Sequence, residues 1–161
     1  MEPKILNKNI SFSKMKKTKK FKYFTIFNIK KPITIKISKI KYIDFVYNNL
    51  EKIYILKFNL LDSNIINTLE NINNIVVSFI SNKKSQIFSH KIDKDNIKNL
   101  FFSNIVNTPV GFELNIQTQD IKIVEKIEKN KYYELNLEIT GIWIYQDMFG
   151  TSYKLLNILA L

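Results

Sequence analysis

Apolar and polar residues alternate with a period of two along several short stretches of this chain of 161 residues. Residues 33–40 (ITIKISKI) carry the clearest example, with isoleucines at 33, 35 and 37 and polar residues between them. This period is typical of a β-strand with one buried face. Comparable patterns predict strands at 21–30, 42–47, 52–60, 110–117, 121–128, 131–145 and 152–161. So many short strands predict a mainly β protein.

Two segments have the spacing of helices instead. Residues 62–74 place apolar side chains three or four apart, with Asp62 or Ser63 as the candidate N-cap and Asn73-Asn74 as a candidate end. The apolar run 75–80 then reads as a short buried strand. A second short helix is expected to be capped by Asp93 or Asp95 and to run through Phe101.

A glycine interrupts the longest predicted strand. Gly141 lies within 131–145, just before Trp143, and a glycine inside a strand predicts a bulge or a sharp bend. Small barrels need such bends. Short antiparallel strands with one or two short helices therefore predict an antiparallel β-barrel like the oligonucleotide-binding fold (OB-fold).

Basic charge is concentrated at the N-terminal end of the chain. Residues 1–42 contain 13 lysines and one acidic residue, a net charge of +12, whereas residues 43–161 carry a net charge of −1. Ile, Lys and Asn make up nearly half of the sequence and arginine is absent, a composition typical of an A/T-rich genome. Codon bias alone would spread the lysines more evenly. Their clustering predicts a polyanionic partner, either nucleic acid or an acidic membrane surface.

The most basic segment is interpreted as an arm. Residues 11–20 (SFSKMKKTKK) have five lysines, little apolar content and no period. We therefore divide the chain into a flexible basic arm at 1–20 and a single β-rich domain at 21–161. The lysines predicted to contact phosphates are Lys14, Lys16, Lys17, Lys19, Lys20 and Lys22, with Lys36 on the polar side of the following strand.

Aromatic residues are interleaved with these lysines. On the strand 21–30, Lys22 and Phe24 share one side and Tyr23 lies on the other, and Tyr23 and Phe24 are candidates to stack on bases. Every base has a π-face, so stacking of this kind does not read sequence. Lysine is also a poor bidentate reader of guanine edges. The pattern favours contacts to the phosphate backbone without base reading.

The sequence offers few of the groups that enzymes and metal sites use. It has no cysteine, one histidine and three glycines, which argues against thiolate or histidine-rich metal sites and against a phosphate-binding loop. Asp120-Ile-Lys122 fits the carboxylate-x-lysine fragment of metal-dependent nucleases, with Glu113 as a candidate second acid. That nuclease is kept as an alternative. Otherwise we expect no enzymatic activity, no metal and no cofactor.

The end of the chain resembles a known family. The segment Leu135–Leu161 contains Gly141-Ile142-Trp143, a short turn, and then Gly150-Thr151-Ser152-Tyr153-Lys154 before an apolar end. This Gly-x-Trp … Gly-x-Ser-Tyr-Lys pattern resembles the C-terminal hairpin of the single-stranded DNA-binding proteins of large DNA viruses and some phages. With the Gln-Thr segment at 107–119, the resemblance falls within residues 107–161, about a third of the chain.

The resemblance implies an OB-fold that coats single-stranded DNA. By position, it implies that Trp143, Tyr145, Tyr153 and Lys154 contact the nucleic acid. Many such proteins end in an acidic tail, whereas this chain ends in LLNILAL. That difference suggests that the last strand belongs to the core or to a subunit interface.

The leading hypothesis is a sequence-nonspecific protein that coats single-stranded DNA in replication or recombination, with RNA as a second substrate to test. We expect no membrane partner, because no apolar run approaches the length of a membrane span. A homo-oligomer could form through the apolar C-terminal strand. The expected location is intracellular, at the site of viral DNA replication in the host cell if the protein is viral. The alternatives are a structural or scaffolding protein associated with nucleic acid, in a virion or with a ribosome, and the nuclease above.

Overall fold

The computed structural model describes residues 9–161 and places most of them in one antiparallel sheet, in which only β6 and β10 pair in parallel. The strands of this part of the chain are β1 (Ile10–Phe12), β2 (Lys16–Lys17), β3 (Lys22–Asn28), β4 (Ile33–Asn48), β5 (Ile53–Leu60), β6 (Phe101–Phe102), β7 (Ile105–Thr108), β8 (Gly111–Thr118), β9 (Tyr132–Tyr145) and β10 (Met148–Ala160). The helices are α1 (Ser63–Ile87), a 3₁₀ helix (Lys94–Leu100) and α2 (Ile121–Lys126). The predicted mainly β class is confirmed.

Strand β9 organises the sheet. Strand β10 pairs with β9 along 133–145, on one edge. The other edge is shared, since β4 pairs with 132–139 and β3 pairs with 141–144. The main path through the sheet runs β1-β3-β9-β4-β5-β8-β7, and it is not closed. The strands therefore form an open, bent sheet rather than a barrel that closes on itself.

The bulge predicted at Gly141 is confirmed. Gly141 pairs with Ser152 and Ile139 pairs with Tyr153, which leaves Thr140 as an extra residue in β9. A Cβ at position 141 would lie 1.8 Å from the carbonyl oxygen of Phe24 in β3. Only glycine therefore lets β3 approach β9 this closely.

Helix α1 covers one face of the sheet, and it is longer than the sequence pattern predicted. The prediction ended it at Asn73-Asn74 and placed a strand at 75–80, which is wrong because the helix continues to Ile87. Val76 and Ile80 are buried on the same side as Leu69 and Ile72, so the apolar run extends the helix rather than starting a strand. The predicted N-cap Asp62 accepts a hydrogen bond from the backbone N–H of Asn64 at 2.9 Å.

Helix α1 continues past Asn73, because the polar side chain of Asn73 finds hydrogen-bond partners inside the protein. The Thr151 hydroxyl donates to Asn73 Oδ1 at 3.0 Å, and Asn73 Nδ2 donates to Ser103 Oγ at 3.4 Å. Both Asn73 and Thr151 are buried. This network links α1 to β10 across the core.

The structure differs from the sequence-based predictions at two further segments, residues 121–128 and the N-terminal arm. The predicted strand 121–128 is wrong, since residues 121–126 form helix α2. Within the predicted arm, 10–12 and 16–17 are strands paired with β3, so this part lies along the sheet, whereas the arm's residues 1–8 are outside the described part of the chain. None of the helices in 9–161 is long and apolar enough to cross a membrane.

Candidate nucleic-acid interface

Four adjacent strands place a line of aromatic residues on the face of the sheet opposite α1. Tyr23 of β3 is the cross-strand partner of Trp143 of β9, Trp143 is the partner of Gly150 of β10, and Gly150 is the partner of Phe102 of β6. Directly opposed residues point to the same side of a sheet. Lys16 of β2 continues the line, because it is the partner of Tyr23. With the neighbouring Phe21, residues from three separate parts of the sequence, 16–23, 102 and 143–150, thus meet on one surface.

We call this surface the aromatic face and define it by Phe21, Tyr23, Phe102, Trp143 and Tyr145. The ring centroids of Phe21 and Tyr23 lie 5.9 Å apart, and those of Phe102 and Trp143 lie 6.4 Å apart. Tyr145 is two residues from Trp143 on the same strand and so shares its side. Phe102 is 53% exposed and Tyr145 is 51% exposed. Clustered exposed apolar side chains mark interaction surfaces more often than isolated ones do.

Gly150 allows the Trp143 indole to lie directly on the neighbouring strand. A Cβ at position 150 would come within 2.7 Å of three atoms of the indole ring. The small residue thus gives the half-buried Trp143 ring room to rest on β10. The Gly-x-Trp and Gly-x-Ser-Tyr-Lys segments meet at this contact.

Lysines border the aromatic face on its β2 side. Thr18 and Phe21 close a tight turn, in which the Thr18 N–H donates to the Phe21 carbonyl at 2.8 Å and the Thr18 hydroxyl accepts from the Phe21 N–H at 3.1 Å. The Lys16 ammonium lies 5.7 Å from the centroid of the Tyr23 ring. We call the exposed lysines of this segment other than Lys17 the lysine border. They are Lys14, Lys16, Lys19 and Lys20. Lys17 is also exposed, but it is the cross-strand partner of Lys22 and so points to the α1 side of the sheet.

Besides Lys17, two predicted contact residues lie on the opposite face. Phe24 is 5% exposed and packs edge-on against Phe79 of α1, with ring centroids 4.9 Å apart. Lys22 extends toward the C-terminal end of α1, where its ammonium donates to the carbonyl oxygen of Ile87 at 2.9 Å. The pairing of Lys22 with Phe24 on one side was predicted from the alternation. In the structure, that side faces the core beneath α1, and the side that carries Tyr23 lies on the outer face of the sheet.

Lys22→Met should lower the free energy of unfolding by about 1 kcal/mol, because it removes a charged donor from a helix C-terminal carbonyl. We expect no change in the salt dependence of nucleic-acid binding, since Lys22 does not lie on the aromatic face. The matched substitution Lys20→Met should leave the unfolding free energy unchanged and reduce the magnitude of the salt slope by about 0.7. Urea denaturation and salt-titrated binding of both variants measure the two effects. The same slope for Lys22→Met as for Lys20→Met would contradict this assignment.

The remaining predicted contacts are spread along the sheet. Tyr153 packs against the core, and burial raises the pKa of its hydroxyl, so its ring is not part of the aromatic face. Lys154 is exposed on the outer face, opposite Glu138 of β9. Lys36 lies further along that face and forms an ion pair with Glu134 at 3.5 Å. The structure therefore brings together Lys16, Tyr23, Trp143 and Tyr145, but not all of the predicted residues.

The nuclease fragment has a structural role in this fold. Asp120 is the N-cap of α2, and its carboxylate accepts from the backbone N–H of Lys122 at 3.0 Å. Within residues 9–161, no three His, Cys, Asp or Glu side chains are grouped as a metal site requires. Neither observation favours the nuclease alternative.

Phe102 and Phe21 belong to the aromatic face although the sequence did not single them out as binding residues. Phe102 forms only a two-residue strand, and its parallel pairing with β10 joins segments far apart in sequence, so no local pattern marked it. Phe21 lies two residues before Tyr23, and this spacing, which places both residues on the same side of a strand, was the signal in the sequence. Comparison of the chain with protein-family models, with curated proteins and with solved structures finds no match in any of the three.

Proposed function

We propose that the protein binds single-stranded DNA without sequence preference and acts in DNA replication or recombination by coating it. The observation that carries the proposal is the alignment of Tyr23, Trp143 and Phe102 across neighbouring strands, beside the lysine border. Stacking platforms next to positive charge are the usual means by which proteins hold single strands.

The aromatic face would contact the bases, and the lysine border would contact the phosphates. Three strand spacings of about 4.8 Å separate Tyr23 from Phe102, so the line of rings spans about 14 Å. Bases of a short stretch of DNA would stack along it, while the lysines neutralise the phosphates and release counterions. Because lysine is a point charge without the bidentate geometry of arginine, such contacts favour no particular base.

Salt dependence tests the electrostatic half of the proposal. If all four lysines of the border contact phosphates of a single strand, log K against log salt should have a slope of about −2.8. Binding to a single-stranded dT oligomer, to duplex DNA and to single-stranded RNA of equal length should be measured between roughly 50 and 300 mM salt, which brackets the physiological ionic strength of about 0.15 M. We expect the duplex to bind more weakly. A slope near zero, or stronger binding to the duplex, would contradict the proposal.

A structural or scaffolding protein is the second candidate, because five lysines of one short segment are exposed together. In that case, replacing the lysine border with glutamines would abolish binding, and the aromatic residues would contribute nothing. Competition between RNA and DNA oligomers separates an RNA-associated protein from one that prefers DNA.

The proposal also includes self-association through the end of β10. Leu156 and Leu159 are each 48% exposed there. Light scattering of the protein, with and without a Leu156→Lys substitution, tests this part.

A further inference from the structure

A groove opens beside the aromatic face, where β3 and β4 separate. Strand β9 changes its partner from β4 at Ile139 to β3 at Gly141, and the bulged Thr140 lies at the change. The groove has a volume of about 520 Å³. Small-molecule sites commonly occupy about 300–1,000 Å³. Tyr23 lines the groove and also belongs to the aromatic face, so a strand stacked on that ring would pass its entrance.

The lining of the groove suits a neutral heterocycle. Its walls are mostly apolar, with the rings of Phe21 and Phe27 among them, and the polar groups include the hydroxyls of Thr25 and Ser152. Glu138 is the one charged residue of the lining. A carboxylate repels phosphate, so the groove would not hold the backbone of the nucleic acid.

Glu138 is available as a hydrogen-bond acceptor, because the ammonium of its cross-strand partner Lys154 does not come within 4.0 Å of its carboxylate. It is half-buried on β9, and within the described part of the chain it forms no ion pair shorter than 4.0 Å. A carboxylate accepts from the exocyclic amino group of cytosine, whereas thymine places a carbonyl oxygen at the corresponding position. A half-buried carboxylate would thus stabilise an amino-bearing base and disfavour thymine.

We infer that this groove receives one base that bears an exocyclic amino group and that Glu138 is its acceptor, which gives an otherwise sequence-tolerant protein a preference at one nucleotide. The inference rests on the proposed binding of single-stranded DNA. It differs from it in assigning a specificity-determining residue outside the aromatic face.

The test compares equal-length dC and dT oligomers, two pyrimidines that differ at the position facing the carboxylate. Fluorescence anisotropy at pH 7.5 should show the unmodified protein binding dC about tenfold more tightly than dT, since hydrogen bonds to a charged group are strong. Glu138→Gln should bring this ratio close to one, because the amide can also donate to thymine. Glu134→Gln is the matched control, as it removes the same charge from the same face of β9 but lies outside the groove.

The ratio separates selectivity from general charge effects. Both substitutions remove one negative charge, and the general charge effect alone should strengthen binding to both oligomers equally. Only Glu138→Gln should also change the dC-to-dT ratio. A ratio near one in the unmodified protein, or one that Glu138→Gln leaves unchanged while dT still binds, overturns the inference alone. Failure to bind either oligomer overturns the proposed function and the inference with it.

Discussion

Trp143→Ala should weaken the binding of single-stranded DNA by about 1–3 kcal/mol, roughly 5- to 150-fold in Kd, because it removes the central ring of the aromatic face. Trp143 lies between Tyr23 and Phe102 in the line of cross-strand partners. The loss should appear for every base composition, since stacking uses a π-face that all bases share. Anisotropy titrations of mixed-sequence and homopolymer oligomers measure it.

Tyr132→Ala is the matched control for this variant. Tyr132 is an exposed aromatic residue of the same strand, 38% accessible, but it lies at the other end of β9, where its ring contacts Lys39. We expect its substitution to leave the affinity unchanged. Urea denaturation of both variants shows whether the Trp143 variant remains folded. A folded Trp143→Ala protein that binds as tightly as the original would contradict the stacking role.

Gly141→Ala should lower the free energy of unfolding by about 3 kcal/mol, which corresponds to a fall in Tm of about 6–12 °C for a domain of this size. The added Cβ would lie 1.8 Å from the Phe24 carbonyl oxygen and 3.1 Å from the Thr25 Cα, so β3 must move away from β9. Both atoms belong to the backbone and cannot turn aside as a flexible side chain can. Calorimetry or thermal circular dichroism measures the shift.

Gly111→Ala is the control that separates the effect of a close contact from the effect of backbone strain. Gly111 has a φ of +124°, which disfavours alanine, but the nearest atom to its added Cβ is Asn59 Oδ1 at 3.8 Å. We expect a smaller loss of about 1 kcal/mol there. If both substitutions lower the free energy of unfolding by the same amount, the close approach of β3 to β9 is not the reason that position 141 requires glycine.

Much of the sheet could be predicted from alternation alone, because a strand with one buried face requires it. The long strand β9 and the bulge at Gly141 followed from the sequence. Helix α1 was cut short because asparagine pairs commonly end helices. Asn73 instead finds a hydroxyl donor in Thr151, 78 residues away, and no local pattern reveals such a partner.

The candidate site was harder to predict, because alternation divides a strand into two sides without saying which side is covered. Trp143 and Tyr145 were expected to share a side, and they do. The side of Lys22 and Phe24 was expected to bind nucleic acid, but α1 packs there and gives it to the core. The register of distant strands, which brings Phe102 next to Trp143, depends on the assembled sheet.

The fluorescence of Trp143 gives the most direct test of the account. It is the only tryptophan of the chain, so its emission reports on the centre of the aromatic face alone. Titration with a dT oligomer at low salt should produce a saturable quench, with the same midpoint as the anisotropy titration, and added salt should reverse it. Tight binding of the oligomer without any change in tryptophan emission would contradict the claim that bases stack on this face.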